Sequence, residues 1–119
     1  MTITYEINPP KVIQDTVLSH EELQDSVNRL KERAFAIRNV CNSIHVTDSV
    51  LGIPRISPIT IGALIRNSND EIELSASVRV RDRNLTSLTQ SICDAILLGL
   101  NGVLILKGDP PPAGPKDSK

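Results

Sequence analysis

The sequence predicts an α/β fold in which four parallel β-strands alternate with three helices. Two observations carry this expectation. Short runs of strand character recur along the chain, and each of the first three is followed by a helical pattern long enough to serve as a crossover. Proline, glycine and capping residues punctuate the joins. Strands joined by helical crossovers lie parallel, with right-handed connections. Such a chain forms either a small open α/β sheet or four strands of a (β/α)8 barrel.

The elements follow in order. Residues 3–7, Ile-Thr-Tyr-Glu-Ile, read as a strand stopped by Asn8-Pro9-Pro10, because proline cannot donate to a ladder. Ser19-His20-Glu21-Glu22 is a capping box. After it Leu23, Val27, Leu30, Ala34 and Ile37 recur at helical spacing and form one apolar face. Residues 43–47 read as the second strand, and Gly52 and Pro54 mark the loop after it. Ser57-Pro58 places an N-cap before a proline at the first helical position, opening a helix over residues 59–65. Ile72, Leu74, Ala76, Val78 and Val80 alternate along a third strand. Asn84 can cap a third helix whose inner face is Leu85, Leu88, Ile92, Ala95 and Ile96; Gly99 ends it. Residues 103–106 are a short apolar run, expected to be buried on both faces. Residues 1–109 form the β/α domain, and residues 110–119, rich in proline and glycine, form a flexible tail.

Composition narrows the function classes. The chain has 119 residues, 39% apolar and 23% charged, which is globular and long enough to bury about two-thirds of its unfolded surface. Tyr5 and Phe35 are the only aromatic side chains, so Ile, Leu and Val fill the interior. A net charge of −1 and the lack of stacking rings argue against nucleic acid as a partner. Cys41 and Cys93 match no metal spacing and fit buried thiols in a reducing compartment. No metal is expected. With no signal peptide and no apolar run of membrane-spanning length, the expected location is the cytoplasm.

Four carboxylates fall at strand ends: Glu6 near the end of the first strand, then Asp48, Asp82 and Asp109 just past the second, third and fourth. In parallel α/β folds these ends share one rim, where ligands bind. Like charges there raise one another's pKa, which can hold one carboxyl protonated as a general acid. An aspartate after a strand also commonly caps a turn, and Asp82, beside Arg83, suits that role equally well. Glu6 precedes a Pro-Pro stop and caps no helix, so its place within an apolar strand asks for a partner or a use. His20 lies in a helix's first turn, and His45 suits a hydrogen-bonded strand residue. Walker, Gly-x-Gly-x-x-Gly and Ser-His-Asp patterns are absent from the sequence.

Four segments resemble the amino-terminal part of the methylenetetrahydrofolate reductases, flavin enzymes built on a (β/α)8 barrel. These are YEINPPK (5–11), HVTDSVLGIPRIS (45–57), RDRNL (81–85) and LGLNGVLILKGDPP (98–111), in the family's order. The resemblance implies half of a TIM-type barrel. It implies reduction of 5,10-methylenetetrahydrofolate or a related pterin by NAD(P)H, with FAD as cofactor. Glu6 would be the general acid toward the folate, its pKa raised by burial, and Asp109 would stand beside the flavin and the folate and tune the flavin's electronics. Thr47, Leu106, Lys107 and Gly108 would contact the flavin. Asp82 and Arg83 would lie near the same rim, and Ser77 takes the place where the family often has a histidine near the flavin. Arg79 stands where the family has a small neutral residue. The family barrel runs to about 250 residues, roughly twice this chain. The implied partners are therefore a folate and either a second chain or further copies completing the barrel. A non-catalytic binding or regulatory half-barrel subunit is the alternative, and a self-sufficient α/β domain with another ligand is a third.

Overall fold

The computed structural model describes residues 2–12, 17–48, 54–68, 71–81 and 83–107. Its elements are β1 (Thr4–Ile7), α1 (His20–Ala36), β2 (Ser43–Val46), α2 (Pro58–Ser68), β3 (Glu73–Arg79), α3 (Leu85–Leu97) and β4 (Gly102–Leu106). The strands make one parallel sheet in the order β1-β2-β3-β4. A doubly wound sheet would reverse its strand order and carry helices on both faces. Here the order is sequential, so right-handed crossovers place the helices on one face, the arrangement of a barrel wall.

Local chemistry explains the boundaries. Ser19 Oγ accepts the Glu22 N–H at 3.2 Å, while Glu22 Oε1 accepts the Ser19 N–H at 2.9 Å, closing the capping box at the start of α1. Ser57 Oγ accepts the Ile59 N–H at the start of α2, and Asn84 Oδ1 accepts the Ser87 N–H at the start of α3. Gly99, at φ +86°, turns the chain from α3 toward β4 in a backbone conformation that other residues enter only with strain.

One device occurs twice at the amino-terminal ends of the strands. Asn42, just before β2, accepts the Ile3 N–H with its side-chain Oδ1 and donates its own N–H to Ile3 O. Asn101, just before β4, does the same toward Leu74: Oδ1 accepts the Leu74 N–H at 2.8 Å and its own N–H meets Leu74 O at 2.7 Å. Arg66 at the end of α2 ties this second corner, donating to Asn101 Oδ1, Gly99 O and Ile72 O.

The core lies between the sheet and the helices. Ile7, Ile44, Val46, Leu74, Ala76 and Val78 project to that side and are almost fully buried. They meet Val27, Leu30 and Ala34 of α1 and Ile61 and Ile65 of α2, each large side chain contributing roughly 1.5–3 kcal/mol. The alternation of Leu74, Ala76 and Val78 is the pleat itself, one face of a strand.

Three expectations change. The apolar face assigned to α3 is only partly used: Ala95 is buried and Leu88 packs on the core, but Leu85 and Ile96 are 78% and 71% exposed. β4 is not buried on both faces. It is an edge strand, with Leu104 53% and Ile105 46% exposed. The cause is the same in both cases: among the described residues no strand or helix lies beyond β4 and α3. Cys41 is buried as expected, whereas Cys93, on the outer side of α3, is exposed.

Candidate functional site

The opposite face of the sheet carries the other parity of each strand, and it is polar. Register places Glu6, His45, Ser75 and Gly102 in one row across all four strands. Thr4, Ser43 and Glu73 form the row below, and Arg79 pairs with Leu106 at the rim. This face walls an open cleft of about 590 Å³ whose lining includes Glu6, His45, Ser75, Asn101 and Leu104. Barrel interiors are ordinarily filled by Val, Ile and Leu. Hydroxyls, an imidazole and carboxylates here instead make a surface that can bind a polar ligand.

At its centre, His45 Nδ1 lies 2.6 Å from Ser75 Oγ, and His45 Nε2 lies 2.6 Å from Ser77 Oγ. Both ring nitrogens are therefore held by side chains of β3. His45 and Ser75 are half-buried on the cleft wall, while Ser77 is only 2% exposed. Ser77, a residue singled out from the sequence, therefore touches the imidazole of the neighbouring strand. From the sequence alone His45 is an ordinary hydrogen-bonded strand residue. The signal that could have found it is the period-two polar parity of Ser43-His45-Thr47 beside Ser75-Ser77-Arg79.

Glu6 opens onto the cleft, but it is exposed. The expected burial is corrected: the described residues leave the face of β1 uncovered. Thr47, just past β2, donates its hydroxyl to Asn8 Oδ1 at 2.6 Å, holding the ends of the first two strands together. The chain after β1 is strapped across this end. Ile56 N–H donates to Pro10 O, Val12 N–H to Pro54 O and Arg55 Nη1 to Pro9 O, and Lys11 bridges Arg55.

Asp48 is half-buried, and its Oδ2 accepts the Arg79 N–H at 2.6 Å, so it serves the backbone at the end of β3. Arg79 is 4% exposed. Arg83 sends Nη1 to Ser91 Oγ, along α3 and away from the cleft face. Leu106 is half-buried, its carbonyl accepting the Val80 N–H, and Lys107 is exposed just past β4. Asp82, Gly108, Asp109 and the tail 110–119 lie outside the described residues. β1 and β4 run in the same sense, but the register sets Glu6 level with Gly102, the first residue of β4, whereas Lys107 lies just past that strand's carboxyl end.

Among the described residues, no group of three or more His, Cys, Asp or Glu side chains is arranged to hold a metal ion, and no helix is long and apolar enough to cross a membrane. No protein-family model matches the chain, and no curated protein matches it.

Proposed function

We propose that the chain forms half of a methylenetetrahydrofolate reductase-like flavin oxidoreductase, acting on 5,10-methylenetetrahydrofolate or a related pterin and completed by a second half-barrel. The observation that carries the reading is the coincidence of a sequential parallel sheet with a polar inner face bearing Glu6, a row of hydroxyls and His45. A barrel interior is ordinarily a packed apolar core, so a polar inner face is a feature that ligand binding explains. The four segments quoted above support this choice of chemistry.

The residues fit the polar edge of a flavin in kind. Thr47 uses its proton on Asn8, which leaves its lone pairs to accept. Lys107 is an exposed cation suited to a flavin's electron-rich pyrimidine edge. With Leu106, Gly108 and Asp109 these residues would hold the cofactor, which supplies hydride transfer. Glu6 offers a carboxyl to the pterin from the cleft wall. Covering that wall with the second half would take Glu6 out of bulk water and close it against the pterin.

Titration of FAD into the chain, alone and mixed with a candidate second half, tests the reading through flavin fluorescence. Uptake in the completed barrel is expected, and absence of uptake in both states would overturn it. A non-catalytic half-barrel subunit of one-carbon metabolism is favoured by one observation, the burial of Arg79 at the rim. Flavin binding without pterin reduction would select it.

A further inference from the structure

We propose that His45 is the proton carrier of this cleft, delivering through Ser75, with Ser77 as the residue that positions its ring. The proposal deepens the reading above by naming the group that recharges Glu6.

The argument begins with what a serine hydroxyl can do. It both donates and accepts, so it satisfies a ring nitrogen whether or not that nitrogen carries a proton. His45 has such a hydroxyl on each nitrogen, at 2.6 Å. Neutral His45 donates to one serine and accepts from the other, and imidazolium donates to both. Its charge can therefore change without either hydrogen bond being lost. A carboxylate or a backbone carbonyl at either position would favour one state. The two serines also differ. Ser77 is buried and fixes Nε2, whereas Ser75 is half-buried and lines the cleft. A base held by one group and aimed through another is the arrangement of a working acid–base residue.

Register completes the case. Glu6 is the direct cross-strand neighbour of His45, and Ser75 is its neighbour on the other side. The charged side chains sharing this face are Glu6 from β1 and Glu73 and Arg79 from β3; β4 contributes none, and the helices pack on the opposite face. The transfer balances in protons. Nδ1–H of the imidazolium passes to Ser75 Oγ as the Ser75 hydroxyl proton passes to water or ligand in the cleft. Where water is the acceptor, cleft water passes one proton on past His45 to the Glu6 carboxylate, and His45 is left neutral with Nε2–H still hydrogen-bonded to Ser77.

The test is a pH titration of the intact, 15N-labelled chain, reading the His45 ring nitrogens by two-bond proton–nitrogen correlation. The midpoint of the His45 ring is compared between the wild-type chain and its variants. Glu6→Gln is expected to lower that midpoint by a few tenths of a unit to about one unit, because a negative neighbour favours imidazolium. Ser77→Ala should redistribute the neutral tautomers, whereas Ser77→Thr should restore them. A ring that keeps one protonation state throughout the titration, or a midpoint indifferent to Glu6→Gln, would overturn the proposal. The measurement needs no flavin, so a failed FAD titration leaves it standing. Conversely, flavin uptake with no Glu6–His45 coupling would remove only this inference.

Discussion

Asn42 and Asn101 perform the same operation at equivalent corners of the sheet, yet replacing each with alanine is expected to have unequal consequences. Asn101→Ala removes the acceptor for the Leu74 N–H, a part-buried group in the middle of the sheet, and one acceptor of Arg66. An orphaned buried donor costs about 1–3 kcal/mol, and an exposed charged hydrogen bond contributes less, so a loss of about 2 kcal/mol is expected. Asn42→Ala strands only the Ile3 N–H, which is exposed at β1 and can turn to water; its loss should stay near 0.5 kcal/mol. With a urea slope of about 1.5 kcal/mol per molar, the midpoint should fall by roughly 1.3 M for Asn101→Ala and roughly 0.3 M for Asn42→Ala. Urea unfolding followed by circular dichroism reads both. Equal shifts would refute the reasoning, since they would mean that burial of the donor does not decide the penalty.

Three further outcomes follow from the fold. Ser19→Ala should destabilise the chain by about 1 kcal/mol through loss of the α1 cap, measured by the same unfolding curves. The cap also has an acid limit. The hydrogen bond from the Ser19 backbone, with a smaller contribution from its hydroxyl, holds Glu22 below its ordinary 4.5. Its contribution is therefore complete above that value and is lost as pH falls through the lowered native value, a decline that Glu22→Gln should flatten in an acid unfolding series. Gly99→Ala should cost about 1 kcal/mol, because a Cβ would find ordinary contacts near Arg66 and only the φ of +86° opposes it; no change in melting temperature would contradict this. The edge of β4, with Leu104 and Ile105 exposed, should promote self-association that Ile105→Lys reduces, as read by sedimentation velocity.

The elements were legible in the sequence because each start carries its own chemistry. Ser19 with Glu22, Ser57 with Pro58, and Asn84 all announce helices that the structure begins within a residue of the expected place. The alternation around Leu74 gave β3 its inner and outer faces. What the pattern could not convey was cover. Leu85, Ile96, Leu104 and Ile105 are apolar enough for a core, and periodicity cannot say whether a neighbour lies beyond them. The same blindness affected Glu6, whose burial was inferred from its own strand, although exposure depends on what faces the strand. His45 was passed over because a lone histidine in a strand is usually satisfied locally. It is satisfied here too, but by two hydroxyls on the next strand, a relation that only the β2–β3 register creates.

The polarity of the inner face itself argues that the sheet is shaped for something other than its own stability. A parallel strand that packs on both faces is ordinarily apolar throughout, yet β3 places Leu74, Ala76 and Val78 toward the helices and Ser75, Ser77 and Arg79 toward the cleft. Polar groups on a face that becomes buried are a liability unless each is matched. Here the matching is partly internal: Thr4 meets Ser43 at 2.6 Å, and His45 takes Ser75 and Ser77. Glu6 and Glu73 remain exposed on the same wall. A completing half-barrel that met this wall with hydrocarbon alone would leave two carboxylates to be neutralised by protonation, at a penalty of several kcal/mol each if they stayed charged. The wall is therefore better suited to a polar ligand, or to a partner bringing donors, than to a dry interface.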